Sequence, residues 1–158
     1  SHNSAVYLGW YAASAPGLPR FSLTLPPDSL TLLPHTTLTF SLAAADESPL
    51  PEEKDPPQSL PAPLDLTLEL ADRAGETARL PLSHFSLLQP PLRVSLGKAD
   101  WMSALPRSEP IFQTFAFRLS DFSAQNPRFN PSQLSEIRFL FDRSPAGVVI
   151  LDYVGFRP

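Results

Sequence analysis

Twenty prolines stand against six glycines in a chain of 158 residues, and this punctuation limits what the chain can fold into. Proline interrupts helices and is kept out of central strands, so the regular structure has to fit between the interruptions. The pieces left over are short, and apolar residues recur in them at every second position. The stretch RFSLTLP sets Phe21, Leu23 and Leu25 on one side and Arg20, Ser22 and Thr24 on the other. TLTFSL sets Leu38, Phe40 and Leu42 against Thr37, Thr39 and Ser41. A period of two is that of a half-buried strand. LDLTLELAD repeats it, with Leu64, Leu66, Leu68 and Leu70 inward and Asp65, Thr67 and Glu69 outward, and ADRAGE turns it back into TARLPL as a hairpin.

The second half continues the pattern. FQTFAFRL sets Phe115, Phe117 and Leu119 against Thr114, Ala116 and Arg118. EIRFLFD turns Ile137, Phe139 and Phe141 inward with Arg138 and Leu140 outward, and VVILDYVGF is the last strand. Helical periodicity is weak throughout; NPSQLSEI, with Asn130 as cap and Pro131 at the first helical position, predicts a turn or two. Short strands at regular spacing predict an all-β, two-layer antiparallel sandwich, a jelly roll. LPLSHFS (80–86) and FRLSDFS (117–123) echo each other and predict a shared strand-end geometry, each strand bending through serine into a loop whose phenylalanine tucks back.

Forty-two per cent hydrophobic and 18% charged residues make a globular composition sized for one domain, residues 1–158. Within it, 46–63 (DESPLPEEKDPPQSLPAP) is Pro-rich and acidic and predicts an extended surface loop, the most mobile part of the chain. Five acids there oppose Lys54 alone, a local net of −4 that equals the charge of the whole chain. With no basic field left, nucleic acid and anionic membrane are not expected partners. The chain starts without Met and without a signal-peptide layout; residues 1–3 read as an added tail and the rest as a piece of a longer protein.

Cysteine is absent, which removes thiolate nucleophiles, disulfides and cysteine metal sites. No G-x-S-x-G elbow occurs, and His2, His35 and His84 fall in a tail, a loop and a strand end. The sequence therefore offers no catalytic constellation, and an enzyme is not expected. One residue breaks the apolar pattern in an informative way. Val149 and Leu151 are in phase with each other, whereas Val154 and Phe156 are one residue out of phase with them, so a β-bulge at Asp152-Tyr153 would restore all four to the core. Asp152 then either accepts hydrogen bonds from loop amides or joins bulge carbonyls around a hard cation such as calcium.

The order FQTFAFRLSDF, a loop, then SEIRFLFDRSPAGVVILDYVGF resembles the end of galactose-binding-like jelly rolls, which occur as carbohydrate-binding modules and accessory domains of secreted hydrolases. The likeness covers about residues 111–157. Tyr153 stands where these domains usually carry a second aspartate. The resemblance implies a non-catalytic accessory module, secreted or extracytoplasmic, that requires no cofactor and has room for a structural calcium at Asp152. Its partner would be a polysaccharide or other polymer. The expected contacts are Arg118, Arg138, Thr67 and Glu69 on outward faces, the two arginines on neighbouring strands of one sheet, with Trp10, Tyr11 and Trp101 as stacking platforms. The alternative is a domain that packs on a neighbouring catalytic domain without a ligand of its own; the outward apolar residues Leu140, Val148 and Ile150 favour it.

Overall fold

The computed structural model describes residues 5–11, 17–27, 31–45, 62–94 and 107–158, without the side chains of 93, 94, 107 and 108. Its strands are β1 (Val6–Tyr11), β2 (Arg20–Thr24), β3 (Thr37–Ala44), β4 (Thr67–Asp72), β5 (Thr77–Pro81), β6 (Leu92–Val94), β7 (Arg107–Glu109), β8 (Gln113–Arg118), β9 (Leu134–Leu140) and β10 (Ala146–Arg157). One sheet runs β1-β10-β3-β8 and the other β2-β9-β4-β5, while among the described residues β6 and β7 pair with each other alone. Every pairing is antiparallel. With the β6-β7 pair set aside, this is the eight-stranded order of a jelly roll, so the expected sandwich is the observed one. Most of the acidic segment expected as a surface loop lies outside the described residues; Ala62 and Pro63, at its end, are exposed.

The alternation explains the core. Leu38, Phe40 and Leu42 of β3, Phe115 and Phe117 of β8, and Leu68, Leu70, Ile137 and Phe139 of the opposite sheet are all buried to 1% exposure or less. Phe40 joins the layers: it lies nearly parallel to Phe115 and Phe117 at 5.5 and 5.9 Å and meets Phe139 of the other sheet edge-on at 5.3 Å. Edge-to-face and offset geometries are those aromatic quadrupoles favour, and full burial of each such ring contributes about 1.5–3 kcal/mol.

Among the described residues, helix is confined to short pieces at strand ends. Asn130 caps a 3-10 turn, Pro131–Gln133, by accepting from the Ser132 amide, as its sequence predicts. The longest helix, α1 (Leu119–Gln125), instead follows β8 directly. It grows from one of the two echoing stretches; the other forms the 3-10 turn Leu82–His84 after β5. Leu82 and Leu119, which hold the same place in the echo, are both fully buried. His84 Nε2 and Asp121 Oδ2, also equivalent, come within 3.4 Å of each other. Phe122 is buried as expected, but Phe85 stays 51% exposed and meets Phe115 at the sandwich edge.

Candidate functional site

The outer face of the β2-β9-β4-β5 sheet is paired within itself. Register places Ser22, Arg138, Glu69 and Arg79 in one row across its four strands. Arg138 Nη1 donates to Glu69 Oε1 at 2.6 Å and its Nη2 to Glu136 at 2.7 Å, while Arg79 Nε donates to the other Glu69 oxygen. Glu69 is thus held between two guanidiniums, 3% exposed. Burial pushes its carboxyl up, and the hydrogen bonds and charges of Arg138 and Arg79 outweigh that push, so that it titrates below the ordinary range. Glu136 is lowered by its hydrogen bond from Arg138, and Arg138 is raised in turn, first by Glu136 and then by Glu69. Thr67 is equally occupied, donating to Asp142 at 3.0 Å. Glu69 and Thr67, expected as ligand contacts, are therefore structural members of this face, and Arg138 already has two carboxylate partners.

Two further expectations are corrected. Trp10 is a core residue, 4% exposed, stacked on Phe141 at 4.4 Å with its Nε1 donating to the Ser144 carbonyl at 2.9 Å. It has room because its strand partner is Gly147, where a Cβ would stand 2.6 Å from the ring. Arg118 and Arg138 do not share a sheet: β8 and β9 belong to opposite layers, so the two side chains leave the sandwich on opposite outer faces. Chain order alone made them neighbours; the crossing from one sheet to the other through α1 separates them. Trp101 lies outside the described residues.

The other outer face, on β1-β10-β3-β8, is built differently. Its rows run Tyr7, Ile150, Ala43; then Asp152, Ser41, Thr114; then Gly155, Thr39, Ala116; and finally Arg157, Thr37, Arg118. Small side chains and hydroxyls fill the middle. Their hydrogen bonds are long: Ser41 Oγ to Thr114 Oγ1 at 3.5 Å, and Thr39 Oγ1 to the Gly155 carbonyl at 3.4 Å. Arg118 and Arg157 are exposed, and neither side chain pairs with a described residue. Tyr7, 64% exposed, and Tyr11, 37% exposed, stand on the same face along the edge strand β1. The Tyr7 row is closed beyond the tyrosine itself, with Ile150 and Ala43 buried, so the open track runs from the Asp152 row to the arginine row, four residues of β3 or about 13 Å. Hydroxyl donors and acceptors and two guanidinium forks can hydrogen-bond a polyhydroxylated chain laid along this track.

Asp152 borders the same face and does the work its sequence context predicts. The β10-β3 register slips between Asp152 and Gly155, and Tyr153 takes a left-handed φ of 52°. Val154 and Phe156 thereby return to pack on the core beside Val149 and Leu151. Asp152 Oδ1 accepts from the Tyr153 amide at 2.8 Å, an acceptor within its own bulge. As a calcium site the donor set is poor. It offers one carboxylate, half committed to that amide, and no group of three acidic or imidazole side chains gathers among the described residues; calcium takes six to eight oxygens.

Beneath the bulge a cleft of about 490 Å³ opens between the sheet edges, floored by Phe21, Leu23, Ile137 and Leu151 with Tyr153 at its rim. Leu140, Val148 and Ile150 point outward but are buried, 3, 8 and 4% exposed, within the chain itself. They form no open apolar face for a neighbouring domain.

No family model matches the sequence, and no curated protein is similar to it. A solved structure does share the fold. The family 30 carbohydrate-binding module of the cellulosomal cellulase CEL9D-CEL44B of Clostridium thermocellum superposes with a TM-score of 0.62 over 97% of this chain and 73% of its own. Identity is 13%, so the likeness is one of fold.

Proposed function

We propose that the chain is a non-catalytic polysaccharide-binding module and that its binding face is the outer side of the β1-β10-β3-β8 sheet. The observation that carries this is the contrast between the two outer faces. One is closed by its own ion pairs; the other presents hydroxyls with long, weak contacts, an exposed tyrosine and two exposed arginines without described partners. A polar group that keeps its hydrogen-bonding capacity in the free protein is one that a ligand can satisfy. The fold is shared with a carbohydrate-binding module of a cellulosomal cellulase, which supports an accessory role in a secreted hydrolase. Leu140, Val148 and Ile150, the outward apolar residues that would favour a packing domain without a ligand, are buried and so offer that reading no surface.

Retention of the domain on a panel of insoluble polysaccharides at low salt tests the proposal. The expected result is retention on at least one polymer, lost in Arg118→Ala/Arg157→Ala and kept in Arg79→Ala on the opposite face. Failure to bind any polymer would overturn it.

A further inference from the structure

The arginine row points to a class of ligand. Arg157, Thr37 and Arg118 are register partners across β10, β3 and β8, which sets the two arginine Cα atoms two strand spacings apart, about 10 Å. Both side chains are exposed on the same face, and the residue between them carries only a short hydroxyl. The acid on this face, Asp152, belongs to a row two removed, about 13 Å along the strands, and has its Oδ1 on the Tyr153 amide. Asp121, at the start of α1, faces His84, its Oδ2 3.4 Å from the imidazole Nε2. The charge pattern contrasts with the opposite face, where Glu69 and Glu136 are matched by Arg79 and Arg138.

From this we infer that the face takes a carboxylated polysaccharide, one bearing uronate sugars, with the acid group over Thr37 between the forks of Arg118 and Arg157. This rests on the binding face proposed above. A guanidinium presents paired donors that match a carboxylate bidentately, and a uronate also neutralises charge that a neutral sugar, though able to accept hydrogen bonds, would leave uncompensated. The small-residue track from Thr39 and Ala116 to Ser41 and Thr114 then receives the neighbouring sugars, where hydroxyls rather than charge meet them.

Affinity electrophoresis of the full chain in gels containing polygalacturonate, the same polymer with its carboxyls methyl-esterified, dextran sulfate, or a neutral β-glucan tests the inference. Retardation should be strongest with polygalacturonate and fall about tenfold in affinity for each arginine replaced by alanine. Arg118→Lys/Arg157→Lys keeps the charge and loses the fork, and should recover only part of the binding. Variants are checked by circular dichroism, and Arg79→Ala serves as the control on the other face. Equal retardation by the esterified or neutral polymer would overturn the uronate inference while leaving polysaccharide binding intact. Equal or stronger retardation by dextran sulfate would replace it with general polyanion attraction, and retardation by none of the polymers would remove both readings.

Discussion

The indole of Trp10 lies across Gly147, so close that a methyl group on that glycine would stand 2.6 Å from one ring carbon and 2.7 Å from another. The contact ties the edge strand β1 to β10 and brings Trp10 onto Phe141. Gly147→Ala should therefore displace the ring and destabilise the fold by about 1–3 kcal/mol, the cost of overpacking a filled core. Urea unfolding measures the loss. In a Trp101→Phe background the remaining tryptophan emission should also shift to the red; an unchanged midpoint and spectrum would show that the ring is not so confined.

The Glu136-Arg138-Glu69-Arg79 array makes stability depend on acid. Both carboxyls titrate below their ordinary value of 4.5 in the folded chain, so their contribution is complete above that pH and is lost as the pH falls through the folded values. Glu69→Gln leaves Arg138 with Glu136 alone and should cost about 2 kcal/mol at pH 7, a buried pair broken on one side with Arg79 still reaching solvent. The cost should shrink toward pH 3, where the wild type has lost the same interaction. A cost that is equal at pH 7 and pH 3 would contradict this account.

At the bulge, Asp152→Ala removes the acceptor of the Tyr153 amide and should lower stability by about 1 kcal/mol. Tyr153→Asn should offset part of that loss in the double variant, because asparagine tolerates the left-handed backbone that tyrosine adopts at φ 52°. A chelator should leave the melting temperature of wild type and variants alike unchanged. A chelator-induced drop in the wild type that is absent from Asp152→Ala would establish a structural calcium there.

The strands were legible because their inward residues recur every second position, and even the bulge could be read from the phase slip between Leu151 and Val154. β1 was harder: Val6-Tyr7-Leu8-Gly9-Trp10-Tyr11 is apolar on both sides, so no alternation separates its faces. α1 is not legible in the sequence because Leu119 and Phe122 alone mark its buried side. The binding face was only half legible. Thr37, Thr39, Ser41, Thr114 and Arg118 were correctly outward, but periodicity says which side of its own sheet a residue takes, not which sheet its strand joins. Chain order therefore sets Arg118 beside Arg138, on the opposite sheet, while its actual row-mate Arg157 sits at the far end of the sequence, brought into its row by β3. Nothing in the local pattern of Glu69 shows that two arginines from neighbouring strands will close over it.

The central claim is that polysaccharide binds the outer face of the β1-β10-β3-β8 sheet, and amide chemical-shift mapping tests it most directly. Isotope-labelled protein titrated in turn with oligogalacturonate and with a neutral β-glucan oligosaccharide should show perturbations concentrated at Thr37–Ser41, Thr114–Arg118 and Asp152–Arg157. Residues 67–69, 79 and 138 of the ion-paired face should stay unmoved. Perturbations centred on Glu69, Arg79 and Arg138 instead, with the hydroxyl face silent, would contradict the account.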